Sequence, residues 1–308
     1  MSIDLKPAGD DAPSRSPLGA ASAVTGRRDQ VGRNRSRRRT VAVISALVLA
    51  ATCILMVFPF VWALLSSLKP TDVAFSNPPV FSFAPTFQPY VDLWQTTNFY
   101  LYLTNTVIVA VISTLVALVI GLPCAYALSR YGGVASIVLL VLALVFRALP
   151  RFAVVLPMYE ISKSLGIYDT TYALAAALIA INQPFTIWLL RNFFAEIPRE
   201  LDEAAMVDGC TRFGVLRRIM IPLMGPGILT AGIFVFLFAF QEYLTAAVLT
   251  DVSAKTVPVF IATQIGQNLP LLQQASAATV LLTLPVIGIA FIAQKYLVAG
   301  LASGAVKG

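Results

Sequence analysis

Residues 203–222 read EAAMVDGCTRFGVLRRIMIP and form a polar island between long apolar segments of this 308-residue chain. Acidic residues crowd the start of the island, where negative charge suits the positive end of a helix dipole. Gly209 follows where a helix would end, since glycine accepts a positive φ at no steric cost. Thr211 can then cap a second short helix that ends near Pro222. The pattern predicts a helix–turn–helix that fits a groove on a partner protein.

Helical spacing defines the face that this loop offers to a partner. Four residues from Leu201 to Asp208 fall at positions i, i+3, i+4 and i+7, so they lie on one side of a helix with mostly small side chains. The competing interpretation is an ordinary helix with an ordinary glycine cap. We assign the partner contact to Glu200, Leu201, Glu203, Ala204, Ala205, Asp208, Gly209, Thr211 and Pro222.

The composition indicates that lipid is the main solvent of the chain. Hydrophobic residues make up 58% and charged residues 12%, and the mean hydropathy is +0.80. Soluble domains carry about a quarter charged residues. The sequence has no histidine, the usual general base and commonest metal ligand, and its three cysteines are scattered. We therefore expect neither catalytic residues nor a metal site in this chain.

Six apolar segments are each long enough to cross about 30 Å of hydrocarbon as a helix. An even number of spans returns the C-terminus to the side of the N-terminus. Arg130 and the arginines from 191 to 218 lie in segments that would then be cytoplasmic, which predicts an N-in, C-in orientation. The predicted spans lie near residues 41–66, 101–128, 134–157, 171–191, 226–249 and 276–298.

The first 39 residues differ in composition from the rest. They are rich in Ser, Gly, Arg and Asp and show no apolar period, which is typical of disorder. Most of the formal net charge of +7 lies in this tail, directly before a membrane span. That placement favours orientation by the positive-inside rule over nucleic-acid binding. The sequence predicts a disordered basic cytoplasmic tail over residues 1–39 and a transmembrane domain over residues 40–308.

Three motifs carry a resemblance to a known family. Glu-Ala-Ala, three residues, Gly, nine residues, Ile, one residue, an aliphatic residue and Pro resembles the EAA loop of ABC-importer permease subunits, with Ile221 where the consensus has leucine. Residues 125–130 (AYALSR) resemble the end of a core helix in sugar-importer permeases. The end of the chain from Val298 resembles the tail of the maltose-permease-like second membrane subunit. The resemblance covers about residues 40–308 and implies an all-α polytopic type I ABC importer permease fold, with a coupling loop at about 193–222.

The resemblance also implies a function and partners. It implies a permease subunit of an ATP-driven importer for a sugar or oligosaccharide, working by alternating access in the bacterial cell membrane. The Walker pattern G-x-x-x-x-G-K-[ST] is absent, so the chain cannot hold ATP by that device. The family implies that the chain binds no cofactor, and that ATP and Mg²⁺ bind to a separate dimer of ATP-binding subunits at the coupling loop. The other implied partners are a second related permease, an extracellular solute-binding protein or lipoprotein, and the sugar, but no nucleic acid.

Polar residues within the apolar segments are the candidates for a substrate pathway. An unpaired carboxylate at the bilayer centre costs about 2.5–3.5 kcal/mol, so Glu242 should face a cavity or a partner subunit. Amides and a carboxylate suit sugar hydroxyls, which both donate and accept hydrogen bonds. Contact between helices is the competing role. We assign the pathway to Gln241, Glu242, Asn182 and Gln183.

Two arginines interrupt the third predicted span. Arg147 and Arg151 lie one turn apart and flank Pro150. They either face the binding protein or the upper part of a cavity, or extend toward the lipid headgroups, and the second is the interpretation that we favour. The sequence leaves both interpretations open.

Two other classes of membrane protein remain as alternatives. An ion-driven secondary transporter of a small polar solute would use an intramembrane acid or a broken helix, and Glu242 could serve it, but six spans without an internal inverted repeat weaken this interpretation. An intramembrane enzyme is disfavoured because the sequence has no histidine and no paired carboxylates at mid-membrane. A partner with a P-loop ATPase distinguishes the importer from both.

Overall fold

The structure, a computed structural model, describes residues 18–74, 76–265 and 269–305, with side chains for 41–74, 76–265 and 270–294. Every regular element in these ranges is helical, which confirms the predicted all-α class. The helices are α1 (Leu18–Leu68), α2 (Gln88–Thr96), α3 (Phe99–Arg130), α4 (Val134–Ala148), α5 (Arg151–Ser164), α6 (Thr171–Glu196), α7 (Glu200–Val207), α8 (Arg212–Val215), a π-helical turn (Leu216–Met220), α9 (Ile221–Leu223), α10 (Gly225–Phe240), α11 (Leu244–Leu249), α12 (Val257–Gln264) and α13 (Leu269–Ala305).

Helix length and hydropathy give four to six candidate membrane spans in the described part of the chain. Two pairs of helices are long enough only when both members are counted, and each pair is bent. The bend is 88° between α4 and α5, and 80° between the segment Arg212–Leu223 and α10. A multi-pass helical protein is therefore confirmed. The four single helical stretches that are long and apolar enough are Val41–Leu68, Phe99–Arg130, Thr171–Glu196 and Pro270–Gln294.

Two of the predicted spans are not continuous helices. The span at 134–157 breaks because Pro150 has no backbone N–H and biases the residue before it away from helical geometry. Leu149 accordingly has an extended ψ of 146°. The span at 226–249 breaks after α10, where the Glu242 side chain accepts a backbone N–H from the first turn of α11 and so starts a new helix. Each of these two predicted spans therefore contains a break between two helices.

The first helix extends beyond the predicted start of the first span. α1 begins at Leu18, and residues 18–39 contain no proline that would force the helix to end. The helix therefore continues through residue 39, the predicted boundary between the tail and the transmembrane domain. Residues 1–17 lie outside the described residues, and the division into tail and transmembrane domain stays a prediction. Contacts divide the chain into two units after Val61, and the packing described below is that of the second unit.

Helices α3 and α6 form the centre of the second unit. A small residue lets them approach closely, because a Cβ added to Gly121 of α3 would lie 3.0 Å from the Thr186 Cγ2 of α6. α10 packs against both helices. A core cluster around Leu190 and Phe194 lies at the end of α6 that leads into α7. This packing supports the polar island at one end of the bundle.

One carboxylate joins the α5–α6 loop to the α11–α12 loop. Asp169, whose φ is +56°, accepts the four backbone N–H groups of residues 251–254 at 2.8–3.1 Å. Asn105 of α3 holds the same loop by donating to the carbonyl oxygens of Ser253 and Lys255. Partial burial raises the pKa of Asp169, but the four N–H donors lower it more. Its pKa is therefore about 2, below the ordinary 3.8.

Replacing Asp169 with asparagine is expected to lower the unfolding temperature of the purified protein by about 2–4 °C at pH 7. The amide keeps one acceptor oxygen and turns an NH₂ group toward N–H donors, which we expect to cost about 1 kcal/mol at this partly exposed site. Since the folded-state pKa is depressed, the carboxylate contributes fully above pH 3.8 and its contribution is lost as the pH falls through about 2. Thermal unfolding in detergent measures both effects. Asp72→Asn, in an exposed loop, is the control, and equal unfolding temperatures for Asp169→Asn and wild type at pH 7 would contradict the prediction.

Candidate functional site

The first helix of the polar island ends as its sequence predicts. Gly209 has a φ of +84°, and its N–H donates to the carbonyl three residues earlier at 3.1 Å. The N–H of Cys210 donates to Ala205 O at 3.0 Å. These two bonds form a Schellman motif, which favours glycine at the residue with positive φ. Thr211 Oγ1 then accepts the Gly214 N–H at 3.2 Å and caps α8, so both predicted caps are confirmed.

Most residues assigned to the partner contact lie on the surface, but Ala205 does not. Ala205 is 5% exposed and belongs to the core cluster that contains Leu190, Phe194 and Val215. A two-turn helix on the bundle must bury one side, and in α7 that side carries Asp202 and Ala205. The assignment of Ala205 is therefore corrected, since it anchors the loop to its own chain. The exposed members of the set are Glu200, Leu201, Glu203, Ala204, Asp208, Gly209, Thr211 and Pro222.

A buried ion pair joins α7 to the end of α3. Asp202 Oδ2 lies 2.8 Å from Arg130 Nε, and the two side chains are 8% and 9% exposed. Tyr126 OH donates to the other oxygen of the same carboxylate. Arg130 also donates to the carbonyl oxygens of Phe194 and Ile197, at 3.1 Å each. Helices α3, α6 and α7 therefore meet at one guanidinium group.

The two interrupted spans meet through Glu242 and Arg151. One oxygen of the Glu242 carboxylate accepts both the N–H and the hydroxyl of Thr245, at 3.0 and 2.8 Å. The other oxygen lies 3.7 Å from the Arg151 guanidinium. Gln241, the neighbouring candidate, is exposed. The carboxylate that the sequence leaves unpaired thus has partners within its own chain.

The two candidate amides of α6 lie within the bundle. Asn182 is buried, and Gln183 Nε2 donates to Ala117 O of α3 at 3.3 Å. The Gln183 bond is a contact between helices, the competing role for this residue. None of the four pathway candidates lines the open apolar groove of 580 Å³ beside α10. Its walls are almost entirely apolar, so the groove does not suit a sugar.

Arg147 packs inside the bundle. Its guanidinium carbon lies 5.0 Å from the ring centroid of Phe185 in α6 and 5.1 Å from that of Phe238 in α10. One of its nitrogens donates to Ile181 O at 3.5 Å. A guanidinium held between two rings is oriented by cation–π attraction. These contacts contradict the interpretation, favoured from the sequence, that the side chain extends toward the lipid headgroups.

Comparison with protein families decides which family contains this chain. The family model described as "Binding-protein-dependent transport system inner membrane component" matches residues 117–303. The matched range includes the polar island and both interrupted spans. The chain belongs to this family. The permease resemblance carried by the Glu-Ala-Ala spacing is confirmed. Residues 200–222, the part of the predicted loop at about 193–222 that begins with α7, are called the coupling loop after that prediction.

The permease aligns with curated relatives over nearly the whole length of each relative. The permease is 36% identical to the probable ABC transporter permease protein y4oR of Sinorhizobium fredii, over 88% of this chain and 97% of the relative. It is 33% identical to the trehalose/maltose transport system permease protein MalG of Thermococcus litoralis (88% and 98%). It is 34% identical to the trehalose transport system permease protein SugB of Mycobacterium tuberculosis (89% and 99%). The predicted kinship with carbohydrate-uptake permeases is confirmed.

Solved structures show the same fold as the permease. A bacterial ABC transporter involved in the import of the acidic polysaccharide alginate matches with a TM-score of 0.71 at 22% identity, over 84% of this chain and 96% of that one. The methionine ABC transporter MetNI in an inward-facing conformation matches with a TM-score of 0.53 at 21% identity, over 65% and 95%. At these identities the likeness concerns the fold alone.

The two most exposed apolar residues of the coupling loop are absent from the sequence-based assignment. Val207 is 88% exposed and Phe213 is 69% exposed, although both lie next to caps that fix the loop. Arg212 stacks on Tyr131, with its guanidinium carbon 4.8 Å from the ring centroid. The sequence signal that could have identified them is a large apolar residue at the last position of α7, Val207, and another in the first turn of α8, Phe213. Neither position repeats the helical spacing on which the assignment rested.

Proposed function

We propose that the permease is one of two related membrane subunits of an ATP-driven importer for a sugar or oligosaccharide. Its remaining partners are a dimer of ATP-binding subunits, which holds ATP and Mg²⁺, and an extracellular solute-binding protein or lipoprotein. The observation that carries the proposal is the rigidly capped coupling loop, which exposes Val207 and Phe213 outside the apolar helices. The relatives named for trehalose and maltose transport support a sugar as the cargo.

The proposed topology in the bacterial cell membrane has six spans with both termini in the cytoplasm. In this scheme the bent pair α4–α5 counts as one span and α10 begins another, while the segment Arg212–Leu223 before α10 stays in the coupling loop. Its support is the charge distribution, because Arg130 and the arginines at 191–218 then lie on the cytoplasmic side together with the arginines at 33–39, before the apolar part of α1. The coupling loop follows α6 and faces the cytoplasm, where ATP-binding subunits can reach it.

The proposed mechanism is alternating access driven by the partner ATPase. ATP draws the two ATP-binding subunits together, and each coupling loop moves with the subunit on which it lies. The membrane helices then exchange an inward-open for an outward-open cavity, into which the binding protein releases its sugar. The permease contributes no hydrolytic group to this cycle. Its tasks are to hold the ATP-binding subunit, to transmit the movement and to line part of the cavity.

We propose that the sugar pathway passes the two helix breaks. α4 has 15 residues and α10 has 16, so they are about 22 and 24 Å long at 1.5 Å per residue, short of about 30 Å of hydrocarbon. Starting from the same membrane face, both end at a similar depth inside the bilayer. Arg151 and Glu242 lie there, beside the exposed Gln241. Broken helices that present polar groups at this depth are a common construction of transport sites.

Replacing Glu242 with glutamine is expected to reduce sugar uptake roughly tenfold, equivalent to about 1.4 kcal/mol. The amide keeps one acceptor for Thr245 but leaves the positive charge of Arg151 without its carboxylate. Uptake of labelled trehalose and maltose by whole cells, corrected for the amount of permease in the membrane, measures the effect. Glu160→Gln, at an exposed carboxylate on the same helix as Arg151, is the matched control. Wild-type uptake by Glu242→Gln would exclude the carboxylate from the pathway.

Purification of the permease from the membranes of its own cells tests the proposed function as a whole. We expect a P-loop ATPase and a second permease to remain bound after purification, and ATP hydrolysis to rise when the binding protein is added. An ion-driven secondary transporter would instead carry sugar without nucleotide. That alternative is not favoured, because Glu242 is engaged by Thr245 and Arg151 of its own chain.

A further inference from the structure

The ion pair between Asp202 and Arg130 lies between two helix ends. Arg130 binds the carbonyl oxygens of Phe194 and Ile197, where α6 ends and its dipole is negative. Asp202 lies in the first turn of α7, where the dipole is positive. Each charge is therefore stabilised by a helix terminus as well as by its partner. The pair lies where α6 passes into α7.

Without side-chain contacts, the connection between α6 and α7 would be flexible. Only residues 197–199 separate the two helices, and a short link without side-chain contacts can bend. Arg199 adds one contact, because its guanidinium donates to Ser129 O at the end of α3, at 3.3 Å. Tyr126, one turn before Arg130 on α3, donates to Asp202. Helix α3 thus contacts the link through the Arg199 guanidinium and contacts α7 through the Tyr126 hydroxyl.

We propose that Asp202, Arg130 and Tyr126 are positioning residues that make α7 and the inner ends of α3 and α6 move as one body. Movement of the coupling loop then reaches α3 directly and is not absorbed by bending at residues 197–199. This inference rests on the proposed function and adds to it the device that transmits the movement. Stability alone does not explain a buried pair, because apolar residues of similar volume are often as stable or more so.

The test uses the complete importer, reconstituted in proteoliposomes, with labelled trehalose and maltose as probes. Asp202→Asn removes the charge and keeps an oxygen for Tyr126. The double variant Arg130→Met with Asp202→Leu replaces the pair by apolar groups and leaves no buried charge. Glu196→Gln, at an exposed carboxylate at the end of α6, is the matched control. The readout is the amount of sugar carried per ATP hydrolysed, which a purely structural role would not change.

We expect Asp202→Asn and the double variant to bind the ATP-binding subunits and hydrolyse ATP, but to carry at least about fivefold less sugar per ATP. The control should keep the wild-type ratio. A wild-type ratio in either variant would overturn the proposal, and so would failure of both to accumulate in the membrane, since the pair would then serve folding only. Failure of the proposed function is distinguishable, because the wild-type importer itself would then show no ATP-dependent uptake.

Discussion

Replacing Gly209 with valine is expected to reduce sugar uptake to background while the permease remains in the membrane at its normal amount. At a φ of +84° an added Cβ meets no heavy atom within 4 Å, so the cost is conformational. A residue with a Cβ loses about 1–2 kcal/mol in this region, and a β-branched one is a genuine outlier there. The chain regains that energy by changing φ, which breaks the Schellman motif and redirects α8 relative to α7.

The effect of this substitution should be confined to the coupling loop. The apolar helices that insert the permease lie outside it, so abundance in the membrane measures folding while uptake and ATP hydrolysis measure coupling. Gly209→Asn should retain most activity, because asparagine tolerates positive φ. Gly225→Val adds the same side chain where the backbone has no positive φ and open space surrounds the Cβ. Normal uptake by Gly209→Val would refute the role of this turn.

The parts of the fold that the sequence predicts correctly are those determined locally. Hydropathy depends on composition over about 20 residues, which suffices to find the apolar helices. The caps at Gly209 and Thr211 depend on a few neighbouring residues, and both form. The helix breaks depend on single residues within apolar runs. Pro150 ends α4, and Glu242 starts α11 by accepting an N–H. Hydropathy averaged over about 20 residues therefore detects neither break.

The sequence does not predict the candidate site correctly where tertiary packing determines which of two similar residues is buried. Ala204 and Ala205 are alike in sequence, and only the placement of α7 on the bundle exposes the first and buries the second. The pair of Asp202 with Arg130 joins residues 72 positions apart, and no local pattern connects them. Arg147 is similar, because its partners are rings on α6 and α10. Such contacts require the three-dimensional arrangement of the helices.

Replacing Phe213 with alanine is expected to weaken binding of the ATP-binding subunit about 30-fold, equivalent to about 2 kcal/mol. The ring is 69% exposed, so its removal changes little in the permease itself. A large ring that enters a pocket of a partner loses that whole contact on truncation, which is the behaviour of an interface hot spot. Thr211 caps the helix that carries the ring and fixes its direction before the partner binds, so little conformational entropy is lost on association.

Retention of the ATP-binding subunit during purification in detergent measures this prediction, with titration of the purified subunit onto the reconstituted permease giving the affinity. Phe87→Ala is the matched control, because Phe87 is also 69% exposed but lies before α2, on the side that the proposed topology places outside the cell. Val207→Asp should act in the same direction as Phe213→Ala, since it places a desolvated charge at the adjacent end of α7. If Phe213→Ala and Phe87→Ala retain the ATP-binding subunit equally well, the exposed ring is not a contact of the partner.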